Sequence, residues 1–167
     1  MQRITLEEIE RIFQDARQDP ELITTFHIDR IKTLVEDNRH DYLSNQTFTT
    51  LYQDIDDAIS DLGISKGSVE SFCDKLVEYR YVDAIFQLFL GRHVRWIKRY
   101  STKPSLTNGG VVVDIQFLDN GAYVLCKTPQ MRFFKYRFDD CITFQKLTDD
   151  EIMLLTCNEH IAKGHIV

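Results

Sequence analysis

The sequence predicts an α+β protein in which a helical N-terminal region packs on a small five-stranded antiparallel barrel, SH3-like or OB-like, followed by a short C-terminal helix. Three observations lead there. Apolar residues recur at helical spacing up to about residue 90, and from Gly91 the period drops to two while β-branched and aromatic residues take over. Charge changes sign at the same place: residues 1–90 carry 9 Lys/Arg against 18 Asp/Glu, residues 91–147 carry 10 against 4, and residues 148–167 carry 1 against 4. Those are the predicted parts: an acidic helical region (1–90), a basic small β-barrel (91–147), and a C-terminal helix and tail (148–167).

The helices come first. Thr5 followed by Glu8 is a capping box, and Ile4 is placed to staple onto Ile9, so a helix begins at once and buries Ile9, Ile12, Phe13 and Ala16. Asp19-Pro20 restarts the chain, with Ile23, Phe26, Ile31, Leu34 and Val35 following a looser helical period to about Asp37. Phe48, Leu51, Tyr52, Ile55, Ala58, Ile59 and Leu62 then fit the i, i+3, i+4, i+7 pattern, and Gly63 ends that helix in the left-handed conformation. A fourth helix, capped by Ser68, carries Val69, Phe72, Cys73, Leu76 and Val77 to about Tyr79. A short apolar helix over Val82 to Phe89 stops at Gly91.

Five strands follow: 93–100, 111–117, 122–127, 131–138 and 141–147. Asp119-Asn120-Gly121 reads as a tight primed hairpin turn, Thr128-Pro129-Gln130 as a second turn and Asp139-Asp140 as a third. Short strands joined by tight turns do not leave both faces wet and stay folded, and closure into a barrel is the expected remedy. Thr148 to Glu151 is another capping box, opening a helix with Ile152, Leu155, Cys157 and Ile161 that ends at Gly164.

Several classes of function are excluded by what is missing. The apolar runs at 84–86 and 88–90 are interrupted by Gln87 and fall far short of the roughly 20 residues a bilayer crossing needs, so no membrane is expected. The opening MQRITLEEIERIF is charged and helical rather than a signal peptide, and the predicted location is the cytoplasm. Cys73, Cys126, Cys141 and Cys157 are spread out with no CxxC pair, which reads as reduced, buried thiols; a Cys126–Cys141 bridge between neighbouring strands is the lesser alternative. There is no GxSxG, no HExxH and no glycine loop opening a helix, since Gly109-Gly110 precedes a strand. The expectation is a non-enzymatic binding module with no cofactor and no small-molecule substrate.

The stretches VEYRYVDAIFQLFLGRHVRWI, LTNGGVVVDIQF and FDDCITFQKLTDDE resemble segments of uncharacterised proteins encoded by large nucleocytoplasmic DNA viruses, over roughly residues 71–160. The resemblance implies a host-cytoplasm or virion setting and carries over no catalytic or binding residue.

One constellation points to a ligand. Arg92, Arg95, Lys98, Arg99 and Lys103, then Lys127, Arg132, Lys135 and Arg137, interleave with Trp96, Tyr100, Tyr123, Phe133, Phe134 and Tyr136. Cations contact phosphates and aromatic rings stack on bases, so this mixture suits a sequence-tolerant nucleic-acid binder. Strand alternation sends Phe133, Lys135 and Arg137 to one face and Arg132, Phe134, Tyr136 and Phe138 to the other, so the rings are not all exposed. The bland alternative is that most rings fill the barrel while the cations form a solvated face or dock on the acidic helices. A further alternative partner is another protein, with the chain serving as an interaction or virion structural component. Asp54, Asp56, Asp57 and Asp61 on one helix, and Cys157, His160 and His165 near the end, are weak metal-ligand sets that lack the further ligands a site requires.

Overall fold

A single six-stranded antiparallel sheet organises the segment from Leu51 to Leu147. Its strands are β1 (Tyr79–Val82), β2 (His93–Lys98), β3 (Gly110–Leu118), β4 (Gly121–Lys127), β5 (Phe133–Arg137) and β6 (Cys141–Lys146). Their order is β1-β6-β2-β3-β4-β5. The computed structural model describes residues 5–16, 30, 33, 34 and 38–164. Its chain divides into two compact units, Leu51–Leu147 and the combination of Met1–Thr50 with Thr148–Val167.

The barrel expectation is therefore corrected: the sheet is open and has six strands, with β1 and β5 as its unjoined edges. The extra strand lies where a helix end and a short apolar helix were expected. Tyr79-Arg80-Tyr81-Val82 alternates, and pairing with β6 from Tyr79↔Lys146 to Val82↔Thr143 overrides the helical continuation. Past it, only a 3-10 turn at Ile85–Gln87 remains of the second expectation. Closure is unnecessary because the core on each face is sealed without it, by α2 and α3 over β1, β6 and β2 on one side and by the curl of the sheet and the 84–91 loop on the other.

On one face, helices α2 (Phe48–Ser60) and α3 (Lys66–Lys75) supply that cover. Ile55, Ile59, Val69, Cys73 and Leu76 pack against Ile97 of β2 and Ile142 and Phe144 of β6. Gly63 adopts φ +69 after α2, as the left-handed end of a helix requires. The cap of α3 is Ser65 rather than Ser68, whose backbone N–H donates to the Ser65 hydroxyl at 3.3 Å.

On the other face the sheet curls over its own core of Val82, Val94, Trp96, Val112, Val124, Cys126, Tyr136 and Cys141. The Trp96 and Tyr136 rings stack with centroids 4.3 Å apart, and Tyr136 Oη lies 3.1 Å from Thr143 Oγ1. Side chains thus bridge β5 to β2 and β6 while no backbone ladder closes the gap. Buried Arg80 donates to the Gln87 carbonyl at 2.7 Å and Gln145 accepts from the Phe89 N–H at 2.9 Å, holding the 84–91 loop over the same core.

In the other unit, α1 (Leu6–Ala16) lies against α4 (Asp149–Gly164). Both expected capping boxes form: Thr5 N donates to Glu8 Oε2 at 2.8 Å, and Thr148 N to Glu151 Oε1 at 3.1 Å. Glu151 is fully buried and also accepts from Tyr42 Oη at 2.7 Å. The Asn158 amide donates to the Leu43 and Gln46 carbonyls at 2.9 and 2.8 Å. The helix expected over 19–37 lies mostly outside the described residues, as do Ile4 and His165; Arg30, Thr33 and Leu34 are helical. Among the described residues no helix is long and apolar enough to cross a membrane.

Candidate nucleic-acid interface

The cations that the sequence singles out are sorted by strand register. His93 pairs with Val111, Val111 with Lys127, and Lys127 with Phe133, so these four side chains share the face that α2 and α3 cover over β1, β6 and β2. Beyond β2, past the cover of α2 and α3, that face continues onto β3, β4 and β5. There it presents three cross-strand rows: Val111, Lys127 and Phe133; Asp114, Leu125 and Lys135; Gln116, Tyr123 and Arg137. The alternation expected in the 131–138 strand is present, with Phe133, Lys135 and Arg137 on this outer face.

Two of the cations sit over rings. Lys135 Nζ lies 5.0 Å from the Tyr123 centroid and Lys127 Nζ lies 5.7 Å from that of Phe133, which is 60% exposed. Arg137 is fixed instead: its Nε donates to the Asn120 carbonyl at 2.7 Å and Nη1 to Asp140 Oδ1 at 3.0 Å. Gly121 makes that possible, since a Cβ there would come within 2.8 Å of Arg137 Nε. The expected primed turn is corrected accordingly. Leu118 pairs with Gly121, leaving Asp119 and Asn120 as the loop, and of these three only Gly121 has a positive φ.

The surface extends past the β5–β6 turn. Arg99 N donates to the Asp140 carbonyl at 2.9 Å, so Arg99 lies beside the same residue that holds Arg137. Lys98, opposite Cys141 at the end of β2, and Tyr100, 83% exposed, are its neighbours. Arg132 is exposed on the turn before β5, and Lys103 is exposed in the loop after β2. Among the described residues, Lys98, Arg99, Lys103, Lys127, Arg132 and Lys135 are not ion-paired.

Three of the predicted residues have other work. Trp96 is 6% exposed inside the curled sheet and offers no stacking surface. Arg95 donates to the Thr107 carbonyl at 2.8 Å and to the Lys75 carbonyl at 3.4 Å, pinning the loop after β2. The Arg92 guanidinium lies 5.4 Å from the Phe89 ring centroid. Sequence reasoning missed Asn120, Gly121, Gln116 and Asp140, which anchor the cations. A bulge between Val112 and Asp114 resets which β3 residues face outward, and nothing in the alternation of the strand signals it.

The remaining candidates are chemically quiet. All four cysteines are buried free thiols; burial pushes Cys126 and Cys157 up to about 12. Burial likewise raises Cys141 to about 11, Asp140 adding to it and Lys98 and Arg99 opposing. Such thiols are poor nucleophiles at neutral pH. Asp56 and Asp57 accept hydrogen bonds from Ser60 and Gln53 on the surface of α2. Partial burial, with Asp57 and Asp83 nearby, holds the Asp54 carboxyl above its usual range. Among the described residues no three His, Cys, Asp or Glu side chains come together as a metal-ligand set. Comparison with known proteins finds no matching family model, curated protein or solved structure.

Proposed function

We propose that the chain is a non-enzymatic binding module whose outer sheet face, from Phe133 and Lys127 across Tyr123 and Arg137 to Arg99 and Tyr100, contacts nucleic acid. The observation that carries this reading is that Lys127 and Lys135 on that face, with Arg99 and Arg132 at its ends, form no ion pair among the described residues and lie near Phe133, 60% exposed, and Tyr100, 83% exposed. Solvated cations release counterions when phosphates replace water, and rings add contacts that do not depend on base identity. A net charge of -6 for the whole chain makes the local excess decisive, because a polyanion is attracted only where the basic segment is open.

The test is fluorescence anisotropy of a labelled oligonucleotide with the full chain, in low salt and with salt added. Binding should weaken steeply as salt rises, and the double substitution Lys127→Glu with Lys135→Glu should abolish it. Retained affinity in the double variant would remove this face from consideration. A second reading draws on the open edge of β5, where Met131, Phe133 and Phe134 are exposed. A protein segment adding a strand there is favoured if association is insensitive to salt.

A further inference from the structure

Resting on the nucleic-acid reading of the outer face, the two lysine–ring pairs bear on which form of nucleic acid it takes. Tyr123 and Phe133 are the two aromatic side chains in the outward rows of β4 and β5. Each has a lysine ammonium over it, Lys135 at 5.0 Å and Lys127 at 5.7 Å from the ring centroid. We infer that Lys127 and Lys135 are displaceable covers over two base-stacking stations, and that the ligand is a strand with unpaired bases laid along β4 and β5.

The exchange is favourable on each side. An ammonium over an exposed ring such as Phe133 or a half-buried one such as Tyr123 is a weak contact, and it occupies the surface that a flat base would use. A base on the same ring buries more area and gains more. The lysine stem is long and freely rotating, so the ammonium leaves the ring without any movement of the strand that carries it. It then meets a phosphate of the incoming nucleotide, and no charge is left unpaired. Lys135 has one further tether, to Gln116 Oε1 at 3.5 Å, which is long enough to be given up readily.

The stations suit unpaired bases. Their rows are four residues apart on β4, about 13 Å at the usual rise of a strand. Between them, in the row of Lys135, stands Leu125, an apolar floor with no competing ring. Arg137, bound to Asn120 and Asp140, marks the Tyr123 end with a charge that does not swing away. The bases of a duplex are already stacked on one another, so a duplex reaches the lysines and leaves the rings unused.

The decisive experiment compares ligands on the native chain by anisotropy at low salt: an oligothymidylate, a duplex of equal length, inorganic polyphosphate, and polyglutamate. The oligothymidylate should bind at least about tenfold more tightly than each of the other three, as stacking contributes at this scale per base. Phe133→Leu and Tyr123→Leu should each cost the oligothymidylate roughly tenfold and leave polyphosphate unchanged, while Phe133→Tyr restores binding. Equal affinity for all four polyanions, or indifference of the oligothymidylate to both leucine substitutions, overturns the stacking inference while leaving the basic surface in place. No binding to any of them overturns the nucleic-acid reading itself. The ligand comparison needs no variant, so a misfolded substitution does not spoil the test.

Discussion

At the scale of single residues, a few positions hold the site and the fold in shape. Gly109 has φ +76, and a Cβ there would sit 1.8 Å from the Val94 carbonyl oxygen, where the loop after β2 folds back along that strand. Gly109→Ala should destabilise the chain by about 3 kcal/mol or more, because backbone strain and overlap with backbone atoms act together. Denaturant unfolding with a midpoint close to the native one would show that the loop yields. Tyr42→Phe removes a hydrogen bond to buried Glu151 and should cost about 1 kcal/mol. A loss below a few tenths of a kcal/mol would mean that the carboxylate is satisfied by Thr148 and its other neighbours. Such residue-level detail was only partly legible in the sequence. Gly63 and both capping boxes are local devices visible in the sequence, whereas Gly121 serves Arg137, sixteen residues away in the chain, and its neighbours in sequence mark it only as a turn former.

At the scale of elements, the strands and helices with several turns of consistent period were readable, and the segment from 79 to 91 was not. Four alternating residues do not outweigh the apolar run that follows them, and only pairing with β6 decides for β1. Register also creates a pH response. Tyr79 Oη lies 3.0 Å from His93 Nδ1, and burial, with Lys146 and Arg95 nearby, holds the His93 imidazole below its ordinary value of 6.5. The unfolded chain takes up a proton near 6.5 while the folded chain resists. The stability from this site is therefore full above that pH and is lost as pH falls through the lower folded value. Thermal unfolding of His93→Gln should show a shallower acid loss than the native chain, and superimposable profiles would contradict that. Within β4 and β5 the cations are predicted to count separately. Lys127→Gln and Lys135→Gln should each reduce the slope of log affinity against log salt by about 0.7 for a single strand. A slope that stays the same after both changes would place the phosphates elsewhere.

At the scale of the whole molecule, the segregated charge was the most informative feature of the sequence, and closure of the sheet was the least predictable. Two wet faces are untenable for a small sheet, and a closed barrel is one remedy. The missing element was that α2, α3 and the 84–91 loop already cover what a closed barrel would have covered. The basic, ring-bearing face over β3, β4 and β5 lies past the cover of α2 and α3. Backbone amide chemical shifts of the full chain, recorded while an oligothymidylate is titrated in, test this claim directly. The predicted result is a set of shifts concentrated at residues 98–103, 111–127 and 131–140 that disappears when salt is raised. Shifts confined to α1, α4 or the 3-10 turn at 85–87, or none at all at low salt, would contradict it.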